Sequence, residues 1–289
     1  MILENKIDFI MYFTVIKANP NGDPLNGNRP RIDYNGYGEV SDVCIKRKIR
    51  DRLIESGEDV FVQNDDKRVD EHRSLKDRYD ALKKEKGLEK ADEDVLAKAV
   101  CENWIDVRSF GQVFAFSGDK LSIGIRGPVS IQTAESKEEV EISSMQITKS
   151  VNSTTNKKNP SAKTPDTMGM KHRVEFGTYK VVGTISPQLA EKTGFTEKDA
   201  ETVKKALINI FENDYSSARP AGSMEVNKLY WFKHNSKLGK YSPAEIHSSV
   251  DLKIIDPEKN SFDRYEIVEN IPKEFKKEEE GKIVNLIGK

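Results

Sequence analysis

The sequence predicts an α+β core on the split βαβ, or ferredoxin-like, plan, with large insertions after the first helix and after the second strand. The first observation is an apolar run from Ile7 to Ile16, rich in aromatic and β-branched residues and as long as a buried strand. The second is a pair of helical patterns, one opening at Ser41 and one after Thr196. Strand-like runs lie between and after these helices, which gives the order strand, helix, strand, strand, helix, strand.

Composition limits the classes of protein that the chain fits. Its 289 residues are 36% hydrophobic and 33% charged, which predicts a soluble protein with a heavily charged surface. The net charge of −1 argues against general avidity for nucleic acid, but basic residues are concentrated between 145 and 180 and acidic residues between 256 and 280. Because the Debye length at physiological salt is about 8 Å, acids on a distant face would not cancel a basic groove.

Cysteine and histidine usage argues against several kinds of site. Cys44 and Cys101 fall inside helical patterns, as expected for small buried residues in a reducing compartment, and they are too far apart in sequence to suggest a zinc site. The four histidines show no associated Ser or Cys motif for a nucleophilic triad: His72, His172, His234 and His247. No run approaches the length of a membrane span, and no signal-peptide h-region precedes the first strand. We therefore expect a cytoplasmic protein with no membrane partner.

The loop over residues 19–31 is the most informative stretch of the chain. It consists largely of Asn, Pro, Gly and Asp, so it continues neither strand nor helix. It also carries Arg29 and Arg31. Free amides and two guanidinium groups suit a polyanion better than a hydrophobic core.

The first helix follows this loop and has Ser41 as its predicted N-cap. Residues at helical spacing should face the sheet: Val40, Cys44, Ile45, Ile49 and Leu53. Lys46, Arg47 and Arg50 lie three and four positions apart, so the pattern predicts that they project together. A solvated charged face is the alternative, but the arginine-containing loop just before the helix favours a track for phosphates.

Residues 58–105 are charged and helical in pattern, clearest over 73–86 and 91–104, which predicts an insertion outside the main core. The run 106–116 is strand-like, and 123–132 resembles a strand pair or one strand with a bulge at Gly127-Pro128.

The stretch from Thr133 to Met170 has too few large apolar residues to form a hydrophobic core. Between Asn152 and Asp166 it contains no large apolar residue. Such a loop is commonly functional or disordered, and a basic one can become ordered on nucleic acid. The lysines available for a phosphate backbone are Lys149, Lys157, Lys158 and Lys163, and the apolar residues available to press against bases are Met145, Ile147 and Met168.

The last third of the chain returns to core patterns. A strand is predicted over 174–185, a capping box at Thr196–Asp199 opens an amphipathic helix, and a small-residue loop over 216–224 carries Arg219. A final core strand covers 227–234, a smaller one lies around 247–255, and an acidic tail closes the chain.

Several of these stretches jointly resemble the backbone (RAMP superfamily) subunit of type I CRISPR surveillance complexes, or Cascade, with subtype I-C as the nearest pattern. The matching motifs are Asn19-Pro20-Asn21-Gly22-Asp23-Pro24, the run from Val40 to Asp51, Asp106-Val107-Arg108-Ser109-Phe110-Gly111 and Ser217-Ala218-Arg219. The resemblance covers nearly the whole chain. It implies a modified RNA-recognition-motif palm over 1–57, 119–132 and 171–289, a helical finger over 58–118 and a β-hairpin thumb over 133–170. We expect the thumb to be flexible alone and ordered by RNA and by the next copy of the protein.

The resemblance also implies a function without catalysis. Copies of the subunit would stack along one CRISPR RNA, grip its backbone without reading its sequence, and present it to target DNA beside large, small and guide-processing subunits. The expected RNA-binding residues are Asn21, Arg29, Arg31, Ser41, Lys46, Arg47, Arg50, Met145, Lys149, Lys171, Arg173 and Arg219. No catalytic residue, metal or cofactor is expected.

Two alternatives stay open. Backbone subunits of type III complexes resemble this architecture and cut RNA with an aspartate in the loop after the first strand, where this chain has Asp23. Against this, Asp23 precedes Pro24 and is well suited to shaping its own turn. The other alternative is a single-strand RNA-binding module that acts alone, without self-association.

Overall fold

The computed structural model of the chain describes residues 1–116, 118, 121–148, 157 and 168–289. Its strands are β1 (Ile7–Ala18), β2 (Gly22–Asp23), β3 (Arg29–Pro30), β4 (Tyr37–Val40), β5 (Gly111–Phe114), β6 (Ile123–Arg126), β7 (Val129–Ile131), β8 (Ala134–Glu139), β9 (Ile142–Thr148), β10 (Met168–Ile185), β11 (Met224–Lys233), β12 (Val250–Ile254), β13 (Tyr265–Glu269), β14 (Phe275–Glu280) and β15 (Ile283–Gly288). Its α-helices are α1 (Asp42–Glu55), α2 (Leu75–Glu85), α3 (Glu93–Asn103), α4 (Ile105–Phe110), α5 (Pro187–Thr193), α6 (Glu197–Ile208) and α7 (Pro243–Ser248).

The fold is mixed α+β with a large central sheet. Its strands follow the order β14-β15-β11-β1-β10-β8-β4, and β7 and β9 also pair with the long strand β10. The first strand lies in the middle, antiparallel to both β10 and β11. The predicted strands over 7–16, 174–185 and 227–234 therefore lie side by side at the centre of the sheet.

Both faces of the central sheet are covered. Alternate residues of β1 face opposite sides, as strand geometry requires. On one side, Phe9, Met11 and Phe13 belong to the core cluster that includes α1 and α6, which contribute Ile45, Ile49, Leu53, Ala200, Val203 and Leu207. On the other side, Ile10 and Tyr12 lie in a second cluster with residues of β11, α7 and β12: Tyr230, Phe232, Ile246, Val250 and Leu252. Full burial of each large side chain stabilises the fold by about 1.5–3 kcal/mol.

The segment between α1 and β7 has a hydrophobic core of its own, which we call the finger core. Its buried residues come from α2, α3 and α4, from β5 and β6, from the chain before α2 and from the residue between α3 and α4: Phe61, Tyr79, Leu82, Leu96, Val100, Cys101, Trp104, Val107, Phe114 and Ile123. The helical insertion predicted over 73–86 and 91–104 is present as α2 and α3. Among the described residues, no helix has the length and apolar character needed to cross a membrane.

Two local predictions need correction. The run 106–116 is not one strand, because Ile105–Phe110 forms α4 and only Gly111–Phe114 is extended. Asp106 explains the difference, since its buried carboxylate accepts hydrogen bonds from the Phe61 and Val62 N–H groups at 2.7 and 3.2 Å and thereby anchors the first turn of the helix. Gly111, with φ of 79°, ends the helix, and a Cβ there would lie 2.2 Å from the Ile125 carbonyl oxygen.

The second correction concerns the acidic end of the chain, which is not a tail. It contains β13, β14 and β15, and β15 pairs in parallel with β11. Charged residues hid this structure, because β14 exposes two consecutive Lys and three consecutive Glu side chains at the edge of the sheet. Such charges are a common way of protecting an edge strand from pairing with another chain.

Candidate nucleic-acid interface

Several chain segments converge at one end of the central sheet. Strand β1 ends at Ala18, opposite Val174 of β10, and the loop over 19–31 leaves the sheet there. The loop over 216–223 lies beside it, because the Asn19 N–H donates to the Ala218 carbonyl oxygen at 2.9 Å. The two loops that the sequence singled out are therefore neighbours.

The loop over 19–31 folds back on itself as a tongue. Strand β2 pairs with β3 in an antiparallel arrangement, and the turn between them passes through Gly27 at φ of 57°. The Asn19 side chain is buried, and its Nδ2 donates to the Asn28 carbonyl oxygen at 2.7 Å. Gly22 packs closely against Asn28, since a Cβ there would lie 2.0 Å from Asn28 Oδ1. Leu25 stands at the tip with 98% of its surface exposed.

Asn21 and Ser41 join the tongue to the first helix. Asn21 Oδ1 accepts hydrogen bonds from both the backbone N–H and the hydroxyl of Ser41, each at 2.9 Å. Ser41 is the N-cap of α1, as predicted, and its hydroxyl accepts from the Cys44 N–H at 3.3 Å. These two predicted RNA-binding residues thus lie together, with Asn21 Oδ1 holding the start of the helix.

The arginines of the tongue flank Asp23. Arg29 is opposite Asp23 in the β2–β3 pair, and Arg31 Nη2 lies 3.6 Å from Asp23 Oδ1. The same carboxylate oxygen accepts from the Leu25 N–H at 3.2 Å, so Asp23 does shape its own turn. In the described part of the chain, no group of three or more His, Cys, Asp or Glu residues is arranged to hold a metal ion.

The basic residues of α1 do not all project together. Lys46 pairs with Asp42 at 2.9 Å, and Arg47, whose side chain is 53% exposed, lies 4.0 Å from Asp51. Arg50 instead turns toward the finger core, where its Nε lies 2.8 Å from Asp106 and its side chain is only 13% exposed. The predicted shared projection is wrong for Arg50, because a buried carboxylate outside the helix draws its guanidinium away. Whether Arg50 also binds RNA stays a prediction.

Sequence reasoning missed a buried ion pair below the two loops. Lys48 is almost completely buried and forms a salt bridge with Asp214, which also pairs with Arg219 at 2.9 Å. Burial lowers the pKa of Lys48, although Asp214 opposes the shift. Burial also shifts the pKa of the neighbouring Cys44 thiol, but upward, because the charged form of a thiol is the anion. Lys48 lies three positions after Ile45 and next to Ile49, so helical spacing could have predicted its place on the apolar face. No sequence pattern predicted Asp214 as its partner.

A hairpin limb extends from the same end of the sheet. It consists of β9 and the first residues of β10, paired from Met168 opposite Thr148 to Val174 opposite Ile142. Met145 is 37% exposed and lies directly opposite Lys171. Because Val174 pairs with Ala18, the limb begins where the tongue leaves β1.

Arg173 of the limb is held in place at its base by Ser143 Oγ at 3.2 Å and Glu175 at 2.9 Å. Lys149, which we expected on this limb, lies outside the described residues, as do Lys158 and Lys163 and most of the stretch 152–166. Lys157 is described and exposed. The prediction that the whole limb is flexible alone therefore falls in part on residues that the structure does not describe.

Comparison with known proteins identifies the family. The family model for CRISPR-associated protein Cas7 matches residues 5–270. The chain belongs to the Cas7 family. A CRISPR-associated protein Cas7 from Haloferax volcanii is 27% identical to this Cas7 chain over 269 residues, covering 86% of this chain and 75% of the relative.

Solved structures similar to this Cas7 chain are more distant. A chain of a CRISPR RNA-guided surveillance complex in a pre-nicking state is 14% identical, with a TM-score of 0.45 over 78% of this chain and 77% of that one. A chain of the type III-B Cmr-beta complex bound to cognate target RNA is 10% identical, with a TM-score of 0.42 over 79% and 61% of the two chains.

Proposed function

We propose that this Cas7 chain is an RNA-binding backbone subunit that oligomerises along a CRISPR RNA in a Cascade-type antiviral surveillance complex, of type I and subtype I-C. The observation that carries the proposal is that the tongue, the start of α1, the Arg219 loop and the hairpin limb all meet at one end of the sheet. Its partners are the CRISPR RNA, further copies of the chain, the large, small and guide-processing subunits, and target DNA through the guide. The complex acts in the cytoplasm.

The strand order supports the palm, finger and thumb of this proposal. Strands β11, β1, β10 and β7 are consecutive neighbours, and α1 and α6 share one face of them, as in the split βαβ plan of RNA-recognition motifs. The finger corresponds to the segment around the finger core. The thumb corresponds to the hairpin limb, and it begins after β8, because β8 pairs with β4 and with Tyr179 and Lys180 of β10, beyond the limb.

The covered sheet indicates how the RNA is held. RNA-recognition motifs commonly stack bases on aromatic residues of the open sheet face. Here the aromatic face is closed, because Tyr12, Tyr230 and Phe232 are buried and the Tyr12 hydroxyl donates to the Val250 carbonyl oxygen of β12 at 2.8 Å. The RNA therefore crosses the end of the sheet, where arginines, lysines and loop amides favour contacts with phosphates. Phosphate contacts position a nucleic acid without specifying its sequence.

Replacing Lys46 and Arg47 together by alanine tests this placement. We expect weaker binding of single-stranded RNA and a salt dependence, measured as log K against log salt, that is shallower by roughly 1.4, because each phosphate contact on a single strand contributes about 0.7 to the slope. Preference among RNA sequences should not change. Folding should be little affected, since i,i+4 ion pairs on a helix contribute only about 0.3–0.5 kcal/mol each.

The matched control is Lys237→Ala with Lys240→Ala. These exposed lysines also form ion pairs, but they lie after β11, at the opposite end of the sheet from the tongue. An unchanged salt slope in the Lys46 and Arg47 variant would contradict the placement. A third variant, Arg50→Ala, distinguishes an RNA contact from a structural role. A shallower salt slope indicates that Arg50 contacts a phosphate, whereas lost stability with an unchanged slope indicates that it only forms the ion pair with Asp106.

We further propose that the subunit has no nuclease activity of its own. Asp23 Oδ1 accepts from the Leu25 N–H and lies 3.6 Å from Arg31 Nη2, and these contacts support a turn-shaping role for Asp23 over one of holding Mg²⁺. RNA incubated with purified protein and Mg²⁺ or Mn²⁺ should stay intact. Cleavage that disappears in Asp23→Ala, but persists in the control Asp66→Ala, would overturn the proposal and favour a metal-dependent endonuclease of the type III kind.

A further inference from the structure

Asp214 lies between two cations of different burial. On its inner side it pairs with Lys48, whose side chain is 5% exposed and whose ammonium lies 5.8 Å from the centre of the Phe211 ring. On its outer side, Asp214 Oδ2 lies 2.9 Å from Arg219 Nε. A single carboxylate thus joins the first helix to the second loop.

Lys48, Asp214 and Arg219 together carry one net positive charge, which lies on the outer residue, Arg219. Lys48 is buried against Asp214, so it compensates the carboxylate, and the charge of Arg219 is not cancelled. Without Lys48, a carboxylate this close would neutralise the arginine and repel phosphate. The inner ion pair therefore allows Asp214 to contact Arg219 without lowering the net charge that the loop presents.

The contacts also fix the orientation of the guanidinium. Arg219 Nε donates to the Asp214 backbone carbonyl at 3.3 Å, and Nη2 lies 3.4 Å from Asp214 Oδ1, so Asp214 engages the Nε–Nη2 edge. The planar guanidinium has five N–H donors, and its Nη1 end does not take part in these contacts. A fork held along one edge is pre-organised to bind an anion at the other.

The loop geometry places this fork beside the tongue. Ser216 and Arg219 form a β-bridge, with both backbone N–H groups donating across it at 2.9 and 3.0 Å. Ala218 accepts from the Asn19 N–H directly beside it. Arg219 is thus attached to the loop that follows β1 and, through Asp214 and Lys48, to the apolar face of α1.

We propose that Asp214, with Lys48 as its counter-charge, is a positioning residue that orients the Arg219 guanidinium to bind a phosphate of the RNA. This inference rests on the proposed function, because it deepens the RNA-binding site. It assigns Lys48, alone among the consecutive basic residues at 46–48, a role without RNA contact.

A double-mutant cycle on the full chain tests the inference. The variants are Arg219→Ala, the pair Lys48→Met with Asp214→Asn, and all three changes together. The Lys48→Met and Asp214→Asn pair removes both buried charges at once, so that neither is left alone. Binding of a fluorescent single-stranded RNA is measured at several salt concentrations, and thermal unfolding is followed in parallel.

If Asp214 acts through Arg219, both Arg219→Ala and the paired variant should lose about tenfold in affinity, the lower end for a hydrogen bond to a charged group. Adding Arg219→Ala to the paired variant should then change the affinity by less than about twofold, since the interaction is already lost. The salt slope should become shallower by about 0.7 in both variants and no further in the combination. Independent, additive losses, or tighter binding by the paired variant, would overturn the inference.

A second variant keeps the test decisive if the paired variant fails to fold. Arg219→Lys retains the charge but lacks the fork, so it should bind RNA about as weakly as Arg219→Ala, and wild-type affinity would overturn the inference. Lys237→Ala serves as the control. A wild-type chain that binds no RNA would refute the proposed function itself, whereas RNA binding with an additive cycle refutes only the role of Asp214.

Discussion

Replacing Asp106 by alanine is expected to lower the free energy of unfolding by about 3–5 kcal/mol, the range for removing one partner of a buried ion pair. The carboxylate is completely buried and accepts from the Phe61 and Val62 N–H groups as well as from Arg50. Its removal leaves two donors and one cation without their partner. Denaturant unfolding monitored by circular dichroism measures the loss.

Asp106 also connects the finger core to α1, so the damage should be greatest there. Relative to wild type, amide hydrogen exchange in the variant should accelerate more across α2 to α4 than across β1 and β10. Glu102→Ala is a matched control, because Glu102 lies on α3 of the same segment but its side chain is 59% exposed. A loss below about 1 kcal/mol for Asp106→Ala would place it among ordinary surface substitutions and contradict this anchoring role.

Replacing Asp8 by asparagine is expected to destabilise the central sheet by a similar amount, about 3–5 kcal/mol at neutral pH. Asp8 is completely buried on β1, where its Oδ2 lies 3.0 Å from Lys6 Nζ and 2.8 Å from His234 Nε2. The change keeps the shape of the side chain but removes the charge that these partners face. Lys6 immediately precedes β1 and His234 immediately follows β11, so the two strands lose a shared contact.

The effect should depend on pH in a defined direction. Burial alone would raise the pKa of Asp8, but hydrogen bonds from His234 and Lys6 outweigh it and hold the pKa below its ordinary value. A lowered folded-state pKa gives stability that is present above the unfolded-state pKa of about 3.9 and is lost as pH falls through the folded-state value. The difference between wild type and Asp8→Asn should therefore shrink below about pH 4, and a constant difference from pH 7 to pH 3 would contradict this account.

The central elements of the fold were predictable because their signals are local. The strand predicted over 7–16 is present as Ile7–Ala18, and so are the N-cap at Ser41 and the capping box of Thr196 with Asp199. The short helix α4 was misread, because six residues are too few to establish a helical period and its anchor, Asp106, depends on contacts made elsewhere. Strand β14 was missed because exposed charges mask an edge strand. Strand β15 was missed because its parallel partner, β11, lies far earlier in the sequence.

In the candidate site too, features set by local sequence were predictable and features set by distant contacts were not. The tongue and its link to Ser41 follow from a loop composition and a cap that are contiguous in sequence. The Lys48–Asp214 pair spans 166 positions, and Arg50 is drawn to a carboxylate 56 positions away, so helical spacing alone could not assign these side chains. Charges that look equivalent on a helical wheel acquire different roles once the fold supplies their partners.

Isolation of the native assembly through a tag on this chain, followed by sequencing of the RNA that co-purifies, tests the central proposal most directly. A backbone subunit on a CRISPR RNA should yield several copies of the chain per complex and guides of uniform length, each flanked by the same repeat-derived sequence. RNA of random length and origin, or a single copy of the chain without RNA, would contradict the proposal.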